Sequence, residues 1–239
     1  MSFVASEPES AVAEAVIGFA AQRLVPLVSG ALYWPQENAL LVADLHLDKF
    51  GAYARRGSLL PPYDTAMTLK KLEADLKATG ASEVIALGDS FHRDESHEHL
   101  IDADRLRLLA LIGAAHWTWI SGNHDRLAHG LGGICVPGLE RGGLTLVHEP
   151  KRNGGGLVAG HLHPAAQIAI NGRVTRRRCF VHDGETLVLP AYGAGTGAMN
   201  ILSPVLAPFF SWDALEVFMI GRGRVYPVSP KRLVHSNYR

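Results

Sequence analysis

Five short polar clusters in this 239-residue sequence combine carboxylate, imidazole and amide side chains at spacings suited to metal binding. They are Asp44-Leu45-His46, Gly88-Asp89-Ser90-Phe91-His92, Gly122-Asn123-His124-Asp125, the single His148, and Gly160-His161-Leu162-His163. The set contains no sulfur, which excludes a thiolate-rich zinc or iron–sulfur site. The imidazoles argue against calcium and magnesium, so manganese, iron or zinc is implied. Seven candidate ligands are too many for one ion with open positions and suit two ions that share a carboxylate. Two divalent cations about 3.5–4 Å apart can hold a bridging hydroxide and clamp a phosphoryl group for in-line displacement. Two such ions, less Asp44, Asp89 and one hydroxide, leave a single positive charge, which favours a phosphoester anion.

Each cluster follows an apolar run. In an α/β sheet the C-terminal ends of strands gather along one edge, so residues far apart in sequence converge there. The runs 39–43, 83–87 and 117–120 read as buried strands. Helices are expected over 63–79, capped by Gly80, and over 96–113. Residues 24–48 contain two short strands around a polar turn, and 49–62 form a loop closed by Pro61-Pro62. This strand–site–helix repetition is the grammar of a parallel sheet. Beyond residue 130, short strands are expected at 144–147, 157–159, 167–170, 174–181 and 186–189. Asn171-Gly172 carries a type I′ hairpin signal, so this part should be largely antiparallel. Extended spacing in D-x-H and H-x-H would aim both members of each pair to one side. Residues 24–228 read as one domain with two sheets, preceded by a helical extension over 1–23 and followed by a loosely held polar tail over 229–239.

Twenty-three basic and 23 acidic side chains give zero net charge, which excludes a surface built throughout for nucleic acid but leaves local basic patches open. Cys135 and Cys179 lack metal-site spacing and read as free thiols in a reducing cytoplasm. No apolar run approaches the roughly 18–20 residues of a membrane span. The stretch 11–21 has acidic flanks and no basic region before it, so it reads as an amphipathic or capping helix and not a signal peptide.

The clusters, in this order, resemble the motifs D-x-H, G-D-x-x-[DH], G-N-H-[DE], H and G-H-x-H of the calcineurin-like metallophosphoesterases, over residues 30–200. The resemblance implies an α/β fold: a four-layer α/β/β/α sandwich of two mixed sheets flanked by helices. It implies two divalent metal ions, manganese ahead of iron or zinc. Asp44, His46, Asp89 and His163 would hold one ion, and Asp89, Asn123, His148 and His161 the other, with Asp89 bridging. His124 would face the leaving group as general acid or steady the transition state, a contribution typically of about 10²–10⁴-fold. Asp125 is its nearest candidate anchor in sequence. A narrower match runs through Ala31-Leu-Tyr-Trp-Pro35, Asp44-Leu-His-Leu-Asp48, Ala54-Arg-Arg-Gly57 and Leu60-Pro-Pro-Tyr-Asp64. It resembles the PdeM-type ligase-associated DNA damage response phosphoesterases and endonucleases. That branch implies hydrolysis of phosphomono- or diesters on nucleic-acid ends or nucleotides, with DNA ligase and helicase repair partners and no membrane. His92 departs from the more usual Asp at its position, and its role stays open between metal, substrate and loop.

Arg55, Arg56 and Arg93 are candidate phosphate contacts, although solvated loop charges account equally well for the first two. Arg173, Arg176-Arg177-Arg178 and Lys151-Arg152 form either a basic wall or the wet face of a hairpin. Tyr192, Gly193, Gly195 and Gly197 either line the site mouth or form a plain connection. His97, His99, His116, His129, His182 and His235 have no site role in this reading, and Trp117 and Trp119 read as core. Three rivals are weaker. A pyrophosphatase of the UDP-diacylglucosamine type needs a long apolar lid, and none is visible. A non-catalytic module on the same fold would be expected to have lost ligands. A general DNA-binding protein sits poorly with zero net charge.

Overall fold

A computed structural model, which describes residues 15–58, 60–126, 129–151 and 155–235, shows two mixed sheets packed face to face. The first runs in chain order: β1 (Ile17–Phe19), β2 (Gln22–Pro26), β3 (Leu32–Trp34), β4 (Ala39–Val42), β5 (Glu83–Leu87), β6 (His116–Ile120) and β7 (Ile134–Val136). Its strands are antiparallel from β1 to β4 and parallel from β4 to β7. Three helices cross over it: α1 (Lys49–Ala54), α2 (Asp64–Thr79) and α3 (Asp102–Ala114).

The second sheet contains β8 (Leu139–Arg141), β9 (Leu144–Val147), β10 (Leu157–Ala159), β11 (Pro164–Ile170), β12 (Arg173–His182), β13 (Thr186–Val188), β14 (Met199–Asn200), β15 (Glu216–Ile220) and β16 (Val225–Val228). The spatial order is β14-β11-β12-β13-β10-β9-β8, and β15 and β16 extend it from β12. β10 lies parallel to both β9 and β13, and β14 to β11, so this sheet is mixed, while antiparallel pairing dominates it as expected.

Strand alternation sorts the apolar residues into three cores. Leu41, Ile85, Leu87 and Ile120 face Leu146, Val158, Phe180 and Leu187 between the sheets. On the other face of the first sheet, Leu40, Val42, Val84 and Ala86 pack under Leu69 and Leu72 of α2 and Leu108 and Leu111 of α3. With both faces covered, β4 reads as an unbroken apolar run. The outer face of the second sheet is covered by Ile201, Leu206 and Phe210. That fourth layer is made of turns and 3₁₀ segments, Ala207–Phe209 and Trp212–Ala214, in place of long helices.

Several boundaries differ from expectation for local reasons. From Ala15 onward the expected helical extension is instead strand β1, paired to β2, and residues 1–14 lie outside the described residues. The loop 49–62 contains the short helix α1, and the stretch 22–34 contains two strands before β4 is reached. The helix expected at 96 starts at Asp102. A 3₁₀ turn, Asp94–His97, precedes it and is closed by His97 Nδ1 on the Asp94 carbonyl at 2.7 Å. Asp102 and Asp104 then occupy the first helical turn, where the helix dipole favours negative charge. The tail is docked as far as His235: Val234 N–H donates to Gln167 O at 2.8 Å, and Asn200 Nδ2 donates to Val234 O at 3.2 Å. Asn171 and Gly172, at φ 49° and 73°, make the expected hairpin turn.

Candidate metal centre

Strands β4, β5, β6, β9 and β10 all end at one edge, and the polar clusters follow them there. The backbone at that edge is unusual. Asp44, His46, Asp89, His161 and His163 have φ of 55°, 45°, 49°, 68° and 45°. Non-glycine residues adopt this left-handed region rarely, at a cost on the order of 1–3 kcal/mol each. The D-x-H and H-x-H pairs therefore converge through left-handed turns and not by the extended spacing expected. Backbone bonds hold the first turn: Asp44 N–H to Gly88 O at 3.2 Å, His46 N–H to Asp89 O at 2.9 Å, Tyr192 N–H to Ala43 O at 2.7 Å, and Gly193 N–H to Asp44 O at 3.1 Å. A Cβ on Gly193 would run into the Leu45 carbonyl, so glycine is required there.

The side chains meet with an excess of lone pairs. Asp44, His46, Asp89 and His148 are each 5% exposed or less. His148 Nδ1 donates to the Leu87 carbonyl at 2.9 Å, which leaves Nε2 to face the site. Around Nε2 stand Asn123 Oδ1 at 3.0 Å, His161 Nδ1 at 3.2 Å and Asp89 Oδ1 at 3.3 Å. Nearby, His163 Nε2 lies 3.2 Å from Asp44 Oδ1, and His46 Nε2 lies 3.8 Å from Asp89 Oδ2. Acceptors packed this closely repel unless a proton or a cation sits among them. Burial alone would lower the His148 pKa, but the Asp89 and Asp44 carboxylates push it up to about 9. For Asp89, burial opposes ionisation, yet His148 and the His124 N–H hold its pKa at about 2. Burial takes His46 down to about 3, leaving a neutral imidazole whose Nδ1 has no partner. The two carboxylates thus favour positive charge at His148, while burial keeps His46 neutral.

The buried Asp and His side chains fall into groups that could hold metal ions. Asp44, His46 and His163 bring ligand atoms within 4.8 Å of one another, and so do Asp89, His148 and His161. Asn123 joins the second group through His148. Because His148 keeps a proton up to about pH 9 without metal, uptake of divalent metal must expel it. Metal affinity should therefore rise as pH climbs toward 9 and level off above it. Calorimetry in buffers of different ionisation enthalpy should show close to one proton released per chain from this group at neutral pH.

His124 is placed differently from expectation. Its Nδ1 lies 2.9 Å from the His92 carbonyl, which fixes the proton on Nδ1 and leaves Nε2 4.0 Å from Asp89 Oδ2. Asp125 does not anchor this ring. Its buried carboxylate accepts backbone N–H groups from Asp89 at 3.0 Å, Ser90 at 2.7 Å, Phe91 at 3.1 Å and Gly122 at 3.0 Å. It staples the second cluster to the third, and a Cβ on Gly122 would collide with both aspartates. Sequence reasoning missed this role; an Asp three residues after a Gly that ends a buried strand was the available signal. Asp125→Ala strands several buried donors and should destabilise the fold by about 3–5 kcal/mol. A lower urea midpoint at unchanged slope would register it.

His92 belongs to the site: its ring stacks on His124 at 5.6 Å and meets His46 at 5.9 Å, and these three form a further group of potential ligands. Arg55 is drawn elsewhere, with both guanidinium ends on Asp48 at 3.1 and 2.5 Å. Arg56 is exposed, and Arg93 is half-buried with an unpartnered Nε. The basic wall is split. Arg178 donates inward to the Ala191 and Ser29 carbonyls, whereas Arg173, Arg176 and Arg177 are exposed and Arg152 lies outside the described residues. Tyr192 is fully buried beneath Lys71, whose Nζ lies 3.8 Å from the ring centre, so it is core and not site mouth.

The crystal structure of the Pseudomonas putida nuclease MPE matches the chain with a TM-score of 0.71 and 30% identity, covering 90% of this chain and 99% of that one. The chain belongs to the family of nuclease MPE. Membership agrees with the two-sheet sandwich, since the match takes in nearly all of both chains. No protein-family model and no curated protein sequence matches the chain. Among the described residues, no helix is long and apolar enough to cross a membrane.

Proposed function

We propose that this chain is a metal-dependent phosphoesterase that cleaves phosphodiester bonds in nucleic acid. One observation carries the reading: Asn123 Oδ1, His161 Nδ1 and Asp89 Oδ1 gather 3.0–3.3 Å from His148 Nε2, a set of acceptors that makes physical sense around a proton on His148 or a divalent ion in its place. The nuclease in the family supplies the substrate class. Asp44, His46, Asp89 and His163 would hold one divalent ion and Asp89, Asn123, His148 and His161 a second, with manganese first in expectation and iron or zinc next. Bound there, the ions would polarise the phosphoryl group as Lewis acids and supply the nucleophile.

The remaining work falls to the chain's own groups. Asp89 orients His124 through its backbone N–H at 2.9 Å, and the His92 carbonyl holds the ring from behind. In this reading His124 Nε2, when protonated, donates to the leaving oxygen, and the stacked His92 sets the ring plane and the field around it. Arg93 and Arg56 remain available to phosphate oxygens. The narrower motif stretch supports the PdeM-type branch, with a role at DNA ends beside a ligase and a helicase. Two free cysteines accord with a cytoplasmic setting.

A manganese-supplemented panel tests the substrate class: single-stranded DNA, duplex DNA, a chromogenic diester and a chromogenic monoester. Cleavage of DNA and diester is expected. Monoester hydrolysis without any diester cleavage would contradict the proposal.

A further inference from the structure

Beside the candidate metal centre opens a cavity of about 550 Å³, within the roughly 300–1,000 Å³ of small-ligand sites. His161 and His163 form one wall, and Leu162, Arg176, Met199 and Val205 form much of the rest. The two histidines make the cavity continuous with the metal centre. Its apolar side is open: Met199 is 38% and Val205 56% exposed, and neither is in a hydrophobic core cluster. A cation lines the same cavity. The Arg176 guanidinium donates to the Ala198 carbonyl in the cavity wall, and no other partner is found for it among the described residues. A site for charge, an apolar shelf and a guanidinium thus share one continuous depression. A flat apolar ring linked to phosphates on either side fills it by chemistry: the ring on the shelf, one phosphate at the metal centre, the next at Arg176.

We propose that this cavity is a nucleoside subsite, in which Met199 packs against the base next to the reacting phosphate and Arg176 receives the following phosphate. The inference rests on the phosphodiesterase reading above and adds which residues grip the substrate. Met199 supplies a polarizable thioether, well suited to the face or edge of any base, so the subsite should tolerate all four. Arg176 offers its remaining N–H groups as a fork for phosphate oxygens.

The test uses the full chain labelled with ¹³C at its methionine methyls. Met199 reports on the cavity, whereas Met67, exposed on α2, and Met219, buried in the outer core, serve as controls. Zinc-loaded protein is titrated with thymidine 5′-monophosphate and, separately, with deoxyribose 5-phosphate, which keeps the sugar and phosphate but lacks the base. The Met199 signal should shift with the nucleotide and stay still with the sugar phosphate, while the other two do not move. A silent Met199, an equal shift with the base-free ligand, or a shift confined to Met67 would each overturn the proposal. A kinetic arm compares thymidine 5′-p-nitrophenyl phosphate with methyl p-nitrophenyl phosphate, which share one leaving group. Met199→Ala should cut the preference for the thymidine ester about two- to tenfold, and Arg176→Lys should retain more affinity for a dinucleotide than Arg176→Ala. A wild-type preference untouched by Met199→Ala counts against the subsite. Hydrolysis of neither ester counts against the phosphodiesterase reading, and the methyl titration of zinc-loaded protein, which needs no turnover, still decides the subsite.

Discussion

Replacing Asp89 by Asn is expected to reduce phosphodiester hydrolysis by at least about 10³-fold, several kcal/mol of lost transition-state stabilisation. The substitution keeps shape and an acceptor oxygen, so the His124 N–H bond at 2.9 Å can persist and the fold is not the variable. What disappears is the negative charge that His46, His124 and His148 all face. In the proposed arrangement this carboxylate is shared by both ions, so metal content measured by mass spectrometry should fall together with turnover. The metal-free variant offers a second readout. Without the carboxylate, the His148 imidazole should titrate well below the value of about 9 that Asp89 and Asp44 impose on it. Full activity with unchanged metal content would remove Asp89 from the centre of the account.

His124→Ala should behave differently. A general acid contributes about 10²–10⁴-fold where the leaving group needs a proton. The variant should lose that much on a dinucleotide, whose leaving nucleoside oxygen is strongly basic. It should lose far less on a p-nitrophenyl diester, because p-nitrophenolate departs without protonation. Metal content should hold near the wild-type level, since His124 lies outside the two ligand groups proposed. Equal losses on both substrates would instead assign His124 to the ligand set with His46 and His92, a grouping its position also allows.

The parallel half of the fold was legible because buried strands declare themselves: β4 and β5 are apolar runs of the length a covered strand needs, and each ends in its cluster. The convergence of Asp44, Asp89, His148, His161 and His163 followed from that rule alone. The short pieces were not legible. Helix α1 has six residues, too few for periodicity to speak, and strand β1 lies in a stretch whose apolar content suits a helix equally well. The means of convergence was hidden too, because nothing in D-x-H announces left-handed backbone at Asp44 and His46. Neighbours distant in sequence impose it, chiefly Gly88, Asp89 and Gly193. The partner of His124 was misjudged for the same reason. Asp125 is adjacent in sequence, but its carboxylate is taken up by four backbone donors, and the ring finds the His92 carbonyl 32 residues away. The zero net charge excluded a surface built throughout for nucleic acid but could not place the basic groups, and of the Arg176-Arg177-Arg178 run only the last turns inward.

If the Asp/His/Asn cluster is a metal centre that hydrolyses phosphodiesters, activity must follow the metal bound there. Titrating chelator-stripped protein with manganese, while recording bound metal and cleavage of single-stranded DNA in the same samples, tests it most directly. Cleavage should be absent from the stripped protein and rise with occupancy, reaching its plateau near two ions per chain. Undiminished cleavage in the stripped protein, or saturable metal binding that never restores it, would show that the cluster is not the hydrolytic centre.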